Sequence, residues 1–126
     1  MLNQTEITRV AGASSKRILI APELAFSLSC KITNEGVAED ETGKKVVKAG
    51  TPLAGDLEDR DTAFKVAGEG DTPCGVVLHD VEVTAGTANS QVVIFGFIDT
   101  SKLDESVVSM LDEDMKAKLP RLTFVK

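Results

Sequence analysis

The chain has one histidine, His79, followed directly by Asp80. In nucleophilic catalysis a carboxylate orients an imidazole, and the imidazole takes a proton from a serine or cysteine. Neighbours along a strand point to opposite faces, so Asp80 cannot orient His79 in that way. A metal centre needs three or four ligands, and Cys74 with His79 supplies at most two. The acidic run Asp56, Glu58, Asp59 and Asp61 lacks the spacing and the glycine of a helix-loop-helix calcium loop and reads as a solvated loop. The glycines of AGEGDTPCG are followed by neither a lysine nor a helix start, as a phosphate cradle requires. Ser14-Ser15-Lys16 is not the Ser-x-x-Lys of acyl-enzymes. No pair of carboxylates is placed for acid-base work. The expectation is a protein that is not an enzyme, with no catalytic, cofactor or metal-ligating residue and no cofactor, and with His79 in a structural role.

The totals agree with a binding or structural role. A chain of 126 residues suits one domain, and at this size roughly two-thirds of the unfolded surface can leave water without help from a disulfide or metal. Twenty acids against 14 bases leave a net charge of −6, which repels nucleic acid and anionic membranes alike. With five Phe, no Trp and no Tyr, stacking platforms for bases are scarce. No apolar run reaches the ~18 residues of a spanning helix, and the polar start MLNQTEITRV lacks the pattern of a signal peptide. Cytoplasmic synthesis is the expectation. Cys30 and Cys74 are then small buried apolar residues, not a disulfide.

Most of the chain carries the period of strands. In ILIAPELAFSLSCKIT, Leu24, Phe26, Leu28, Cys30 and Ile32 share one face, predicted to be core, while Ala25, Ser27, Ser29 and Lys31 share a wet one. Pro22 cannot donate to a ladder, so the strand proper starts after it. VVKAGTPLAG predicts a short strand, a turn and a second extended piece, and TAFKVAG another brief strand. CGVVLHDVEVTAGTANSQVVIFGFID predicts a hairpin turning through TAGTANS. Its second arm is apolar on both faces over 92–98, the mark of a central strand covered on both sides. Gly96 within it marks a bulge or a close backbone approach. From Leu103 the period becomes helical, through Val107, Met110, Leu111, Met115 and Leu119. Asp104 and Asp112 are capping residues, Pro120 a stop, and RLTFVK a last strand. Residues 1–17 carry no strong period, although Thr5–Val10 (TEITRV) alternates and could join an offered strand edge.

Three pieces in this order carry a resemblance: KKVVKAGTPLAGD (44–56), PCGVVLHDVEVTAGTANSQVVIFGFIDTSKL (73–103), and the short acidic helix followed by LPRLTFVK (119–126). Together they resemble the lambda-type head decoration proteins of tailed bacteriophages, over residues 24–126. The resemblance implies a mainly β fold with a short C-terminal helical element: a β-clip-like bent ribbon with a partial barrel, and a flexible N-terminal arm. It divides the chain into an arm, 1–17, and a single decoration domain, 18–126. It implies a capsid decoration or cementing protein without enzymatic activity, made in the bacterial cytoplasm and carried on the outer capsid surface of the virion. Its partners would be the major capsid protein and itself, as a homotrimer at three-fold positions of the expanded head, with no direct nucleic acid and no membrane.

The capsid-binding arm implied for this chain is Thr5, Glu6, Ile7, Thr8, Arg9 and Val10, continuing into Ile18, Leu19 and Ile20. The trimer contacts expected are Gly50, Thr51, Pro52 and Leu53, with Phe95 and Phe97. Two other readings belong to different classes. The base of a head fibre would add a coiled-coil or collagen-like extension, and a β-clip enzyme would add an aspartate-bearing motif at a shared trimer site. The sequence displays neither feature.

Overall fold

The computed structural model describes residues 18–126. Among the described residues, nine strands and two short helices follow one another: β1 Leu19–Ile20, β2 Phe26–Ile32, β3 Val46–Val47, β4 Pro52–Ala54, β5 Lys65–Val66, β6 Gly75–Val77, β7 Val81–Glu82, β8 Ala88–Asp99, α1 Glu105–Met110, α2 Glu113–Ala117 and β9 Leu122–Val125. The protein is mainly β with a short C-terminal helical element.

β8 organises the molecule. Along one edge it pairs antiparallel with β2, from Ile32↔Ala88 to Phe26↔Phe95, and then with β1 at Ile20↔Phe97 and Leu19↔Ile98. The other edge meets β6 at Val76↔Val93 and Val77↔Val92, then β9 in parallel from Gly96↔Leu122 to Asp99↔Val125. β6 continues to β4, and β4 to β5. Phe64, just before β5, closes the ring: its N–H donates to the Lys31 carbonyl at 2.7 Å, and its carbonyl accepts from Thr33 N–H at 2.9 Å. Strands β2, β8, β6, β4 and β5 thus form a small barrel. β3 and β7 make a separate two-stranded ladder.

Because strand side chains alternate, the barrel wall feeds two cores. Inward residues Cys30, Ile32, Leu53, Phe64, Val77 and Val92 form one cluster with Val47 and Val83. Outward residues Val76, Val93 and Ile98 form the other, roofed by Val107, Leu111, Met115 and Leu119 of the helical segment and by Leu122. The hairpin from Cys74 to Asp99 is therefore wall to both cores. Val76 and Val77 are each fully buried, one on either side.

The helices have local causes. Asp104 Oδ1 accepts from Ser106 N–H at 3.0 Å and caps α1, while Asp112 Oδ1 accepts from Met115 N–H at 2.8 Å and caps α2. α2 stops before Pro120, as its sequence demands. Pro22 lies in a single 3-10 turn, Pro22–Leu24, and β2 begins only at Phe26. Ala21, which turns the chain out of β1, is the one non-glycine residue at positive φ (56°) among the described residues.

Two expectations are corrected. The apolar face of residues 24–32 is core only at its barrel end: Cys30 and Ile32 are buried, but Leu24 is 58% and Phe26 54% exposed. Likewise β8 is covered on both faces at Val92 and Val93 but not at Phe95, 50% exposed, or Phe97. Both strands outrun the barrel, and no other described residue covers their ends.

Candidate interaction surface

A register change in β8 places that uncovered face. Ser27 pairs with Val93 but Phe26 with Phe95, so Ile94 is an extra residue on β8, a β-bulge. The bulge exchanges the two faces of the strand. Val93 before it and Ile98 after it both reach the helix-roofed core, although an unbroken strand would send them to opposite sides. On the barrel-interior side, Val92 is followed beyond the bulge by Phe95 and Phe97. Phe26 lies on that side as well, since β2 carries Leu28, Cys30 and Ile32 inward at period two. The register sets Phe26 against Phe95 and Ile20 against Phe97, with Leu24 in the turn between their strands. Ile20, Leu24, Phe26, Phe95 and Phe97 account for five of the six large apolar residues that stand exposed among the described residues.

Backbone geometry shapes this face. Gly96, between the two exposed phenylalanines, has φ 146°, and a Cβ there would lie 3.1 Å from the Ala25 Cβ. The close backbone approach expected at this glycine is real, and the bulge lies two residues earlier. Without a side chain at 96, the β1–β2 turn lies flat against β8 and keeps Leu24 and Phe26 beside Phe95.

The remaining expected contact residues fall elsewhere. Gly50, Thr51, Pro52 and Leu53 are all buried within the chain. The Thr51 hydroxyl donates to the Lys48 carbonyl at 2.6 Å, a Cβ on Gly50 would strike Leu103, and Leu53 lines the barrel. They make turn and core and leave no surface for a neighbouring copy, so trimer contact at these four is corrected; Phe95 and Phe97 are accessible. The arm residues Thr5, Glu6, Ile7, Thr8, Arg9 and Val10 lie outside the described residues. Ile18, Leu19 and Ile20 belong to the body instead: Ile18 is 1% exposed, and Leu19 and Ile20 form β1. Sequence reasoning took Leu24 and Phe26 for core. The chain's scarce aromatics, three of five on one exposed face, were the available signal.

Several polar side chains tie the loops of the body together. His79 is exposed, and Asp80 Oδ1 accepts from Ala49 N–H at 2.7 Å, tying the β6–β7 connection to the turn after β3. Among the described residues, no three His, Cys, Asp or Glu side chains come together to hold a metal ion. An open polar hollow of about 580 Å³ lies between Ser29–Lys31 and Leu57–Asp61. There Arg60 donates to the Ser29 carbonyl at 2.9 Å, pinning the acidic loop to the edge of β2 that Phe64 also meets. Cys30 is 4% exposed, and its thiol is pushed up to about 11 by burial first and then by the charge Cys74 would carry, which makes it a poor nucleophile. Lys48 Nζ sits 3.0 Å from Asp104 Oδ2. Hydrogen bonds from the Ser106 hydroxyl and N–H, and then Lys48, hold the Asp104 carboxyl well below the usual range.

Among the described residues, no helix is long and apolar enough to cross a membrane. Compared with protein-family models and with curated proteins, the chain matches none.

Proposed function

We propose that the chain is a non-enzymatic decoration protein of a tailed-phage head, which binds the outer surface of the expanded capsid as a homotrimer at three-fold positions and stabilises the shell against internal DNA pressure. The observation that carries this reading is the exposed face of Phe26, Phe95 and Phe97 on paired strands. A monomer with no partner gains nothing from holding three aromatics in water, and contiguous exposed apolar surface marks sites of association. The resemblance over residues 24–126 names the kind of assembly.

Position and charge support it further. β1, whose Ile20 is paired with Phe97, borders the same face. A strand-forming segment such as Thr5–Val10 would add contacts of its own to a capsid strand edge. Three such attachments on one trimer act at high effective concentration, so weak individual contacts make a durable whole. A protein that binds only the expanded lattice stabilises it by mass action. The net charge of −6 suits a surface that faces solvent, away from packaged DNA.

The test is co-sedimentation with empty heads in expanded and unexpanded form. The protein should pellet with expanded heads and stay in the supernatant with unexpanded ones. Binding to neither would overturn the reading.

A further inference from the structure

We infer that an acidic segment of a partner protein docks in a cleft beside the phenylalanine face, with one large apolar side chain seated in the cleft and a neighbouring carboxylate held by Lys118 and Arg121. The inference rests on the reading of that face as a surface of association and names the chemistry of what binds there.

The cleft lies at a seam in the sheet. Along one edge β8 pairs with β6 as far as Val93 and with β9 from Gly96 onward, so no pairing to either strand falls on Ile94 or Phe95. A cavity of about 200 Å³ opens there, its lining including Leu57, Ile94, Leu119 and Leu122. The Gly96 N–H donates to the Arg121 carbonyl at 3.3 Å, and Gly96 is paired with Leu122. Arg121, exposed and one residue earlier, therefore stands at the register position beside Phe95. The bulge that turns Phe95 and Phe97 outward is thus also the place where the cleft opens.

Size selects a side chain of a protein as the occupant. Pockets for small molecules and cofactors measure roughly 300–1,000 Å³, and this one is smaller. It suits a single anchoring side chain, the kind of contact that carries most of the energy of a protein interface.

Charge selects an acidic segment. The charged residues in the lining are Lys118 and Arg121, with no acid among them, in a chain of 20 acids against 14 bases. The larger hollow beside β2, by contrast, mixes Lys31 and Arg60 with Glu58, Asp59 and Asp61. Among the described residues neither Lys118 nor Arg121 has an ion-pair partner. Lys118 Nζ donates to the Asp71 carbonyl at 3.1 Å, while the Asp71 carboxylate lies 3.6 Å from Lys65. A chain of net charge −6 repels an anionic partner over most of its surface, so two cations beside an apolar seat fix where such a partner docks.

The experiment is an amide chemical-shift titration of the full chain with acetyl-Asp-Leu-Asp-amide, with its Asn-Leu-Asn and Lys-Leu-Lys counterparts, and with octanoate. The acidic peptide should shift the amides of Ile94, Leu119 and Leu122 and bind more tightly than the neutral one, and the basic one should leave them still. Its affinity should fall as salt rises, whereas plain repulsion between two acidic molecules would make it climb. Arg121→Gln and Lys118→Gln, both at exposed positions, should each weaken it about threefold. Arg121→Glu combined with Lys118→Glu should move the preference to the basic peptide, and thermal melts confirm that each variant folds. Equal shifts from all three peptides, or none at these amides, overturn the inference. Octanoate binding as tightly as the acidic peptide also overturns it, because the cleft would then be a site for small organic acids. The same shifts on concentrating the protein alone would seat a second copy there and overturn it too. Co-sedimentation with expanded heads is read separately, so the inference can fall while the functional reading stands.

Discussion

Asp104 shows how much one side chain can tie together in a fold with short elements. It caps α1 through Ser106 and anchors Lys48 from the turn after β3, so a local and a long-range contact share one carboxylate. Replacing it with Ala should cost about 1 kcal/mol, the ordinary worth of a helix N-cap, because the Lys48 pair is half-exposed and adds little. The pH dependence has a definite sign. The folded carboxyl titrates below the ordinary aspartate range, so its contribution is fully present above that range and is lost as pH falls through the lower folded value. Urea unfolding of wild type and Asp104→Ala should differ by a constant amount from neutral pH down to about 5, and the gap should narrow below about 4. A gap that widened on acidification would contradict the cap. The capping role was readable beforehand, because an aspartate before an apolar period of 3.6 is a local signal. The Lys48 partnership was not, because nothing local relates position 48 to position 104.

Among the elements, β8 carries the architecture, and its bulge at Ile94 decides what the strand's apolar residues do. Without the extra residue, Phe95 and Phe97 would follow Val93 toward the helix-roofed core, and Gly96 and Ile98 would take the barrel-interior side. Gly96 then lets Ala25 approach, at a φ that side chains other than glycine rarely adopt. Gly96→Ala should destabilise by about 1–3 kcal/mol from backbone strain, with added cost from the Ala25 contact, measured as a lowered urea midpoint with unchanged slope. A neutral result would mean that the β1–β2 turn is not held against β8 as described. The glycine announced itself in the sequence as an interruption of a strand. Its reason, whether bulge or close approach, depended on which residue of another element lies opposite, and that is a tertiary fact.

In the molecule as a whole, Ile18 is anchored to the body, since it is buried in the helix-roofed core and its carbonyl accepts from Asp99 N–H at 2.7 Å. Removing residues 1–17 should therefore leave the melting temperature of the body nearly unchanged while weakening attachment to expanded heads. Removal through Ile20 should unfold it or lower its melting temperature sharply, because it takes out β1 and a core residue together. Equal attachment by the intact and 1–17-deleted chains in a binding titration would exclude the arm from the clamp. The mainly β class, the two capped helices, the stop at Pro120 and the late start of β2 after Pro22 were all settled by sequence alone, because period, cap and proline act within a few residues. Tertiary structure alone decided that Gly50–Leu53 are interior, that Phe64, just before β5, closes a barrel onto β2, and that no other described residue covers the apolar face of Leu24, Phe26, Phe95 and Phe97. Alternation tells which residues share a face. Whether anything covers that face depends on where distant strands end, and strand ends are set by pairing across the whole chain.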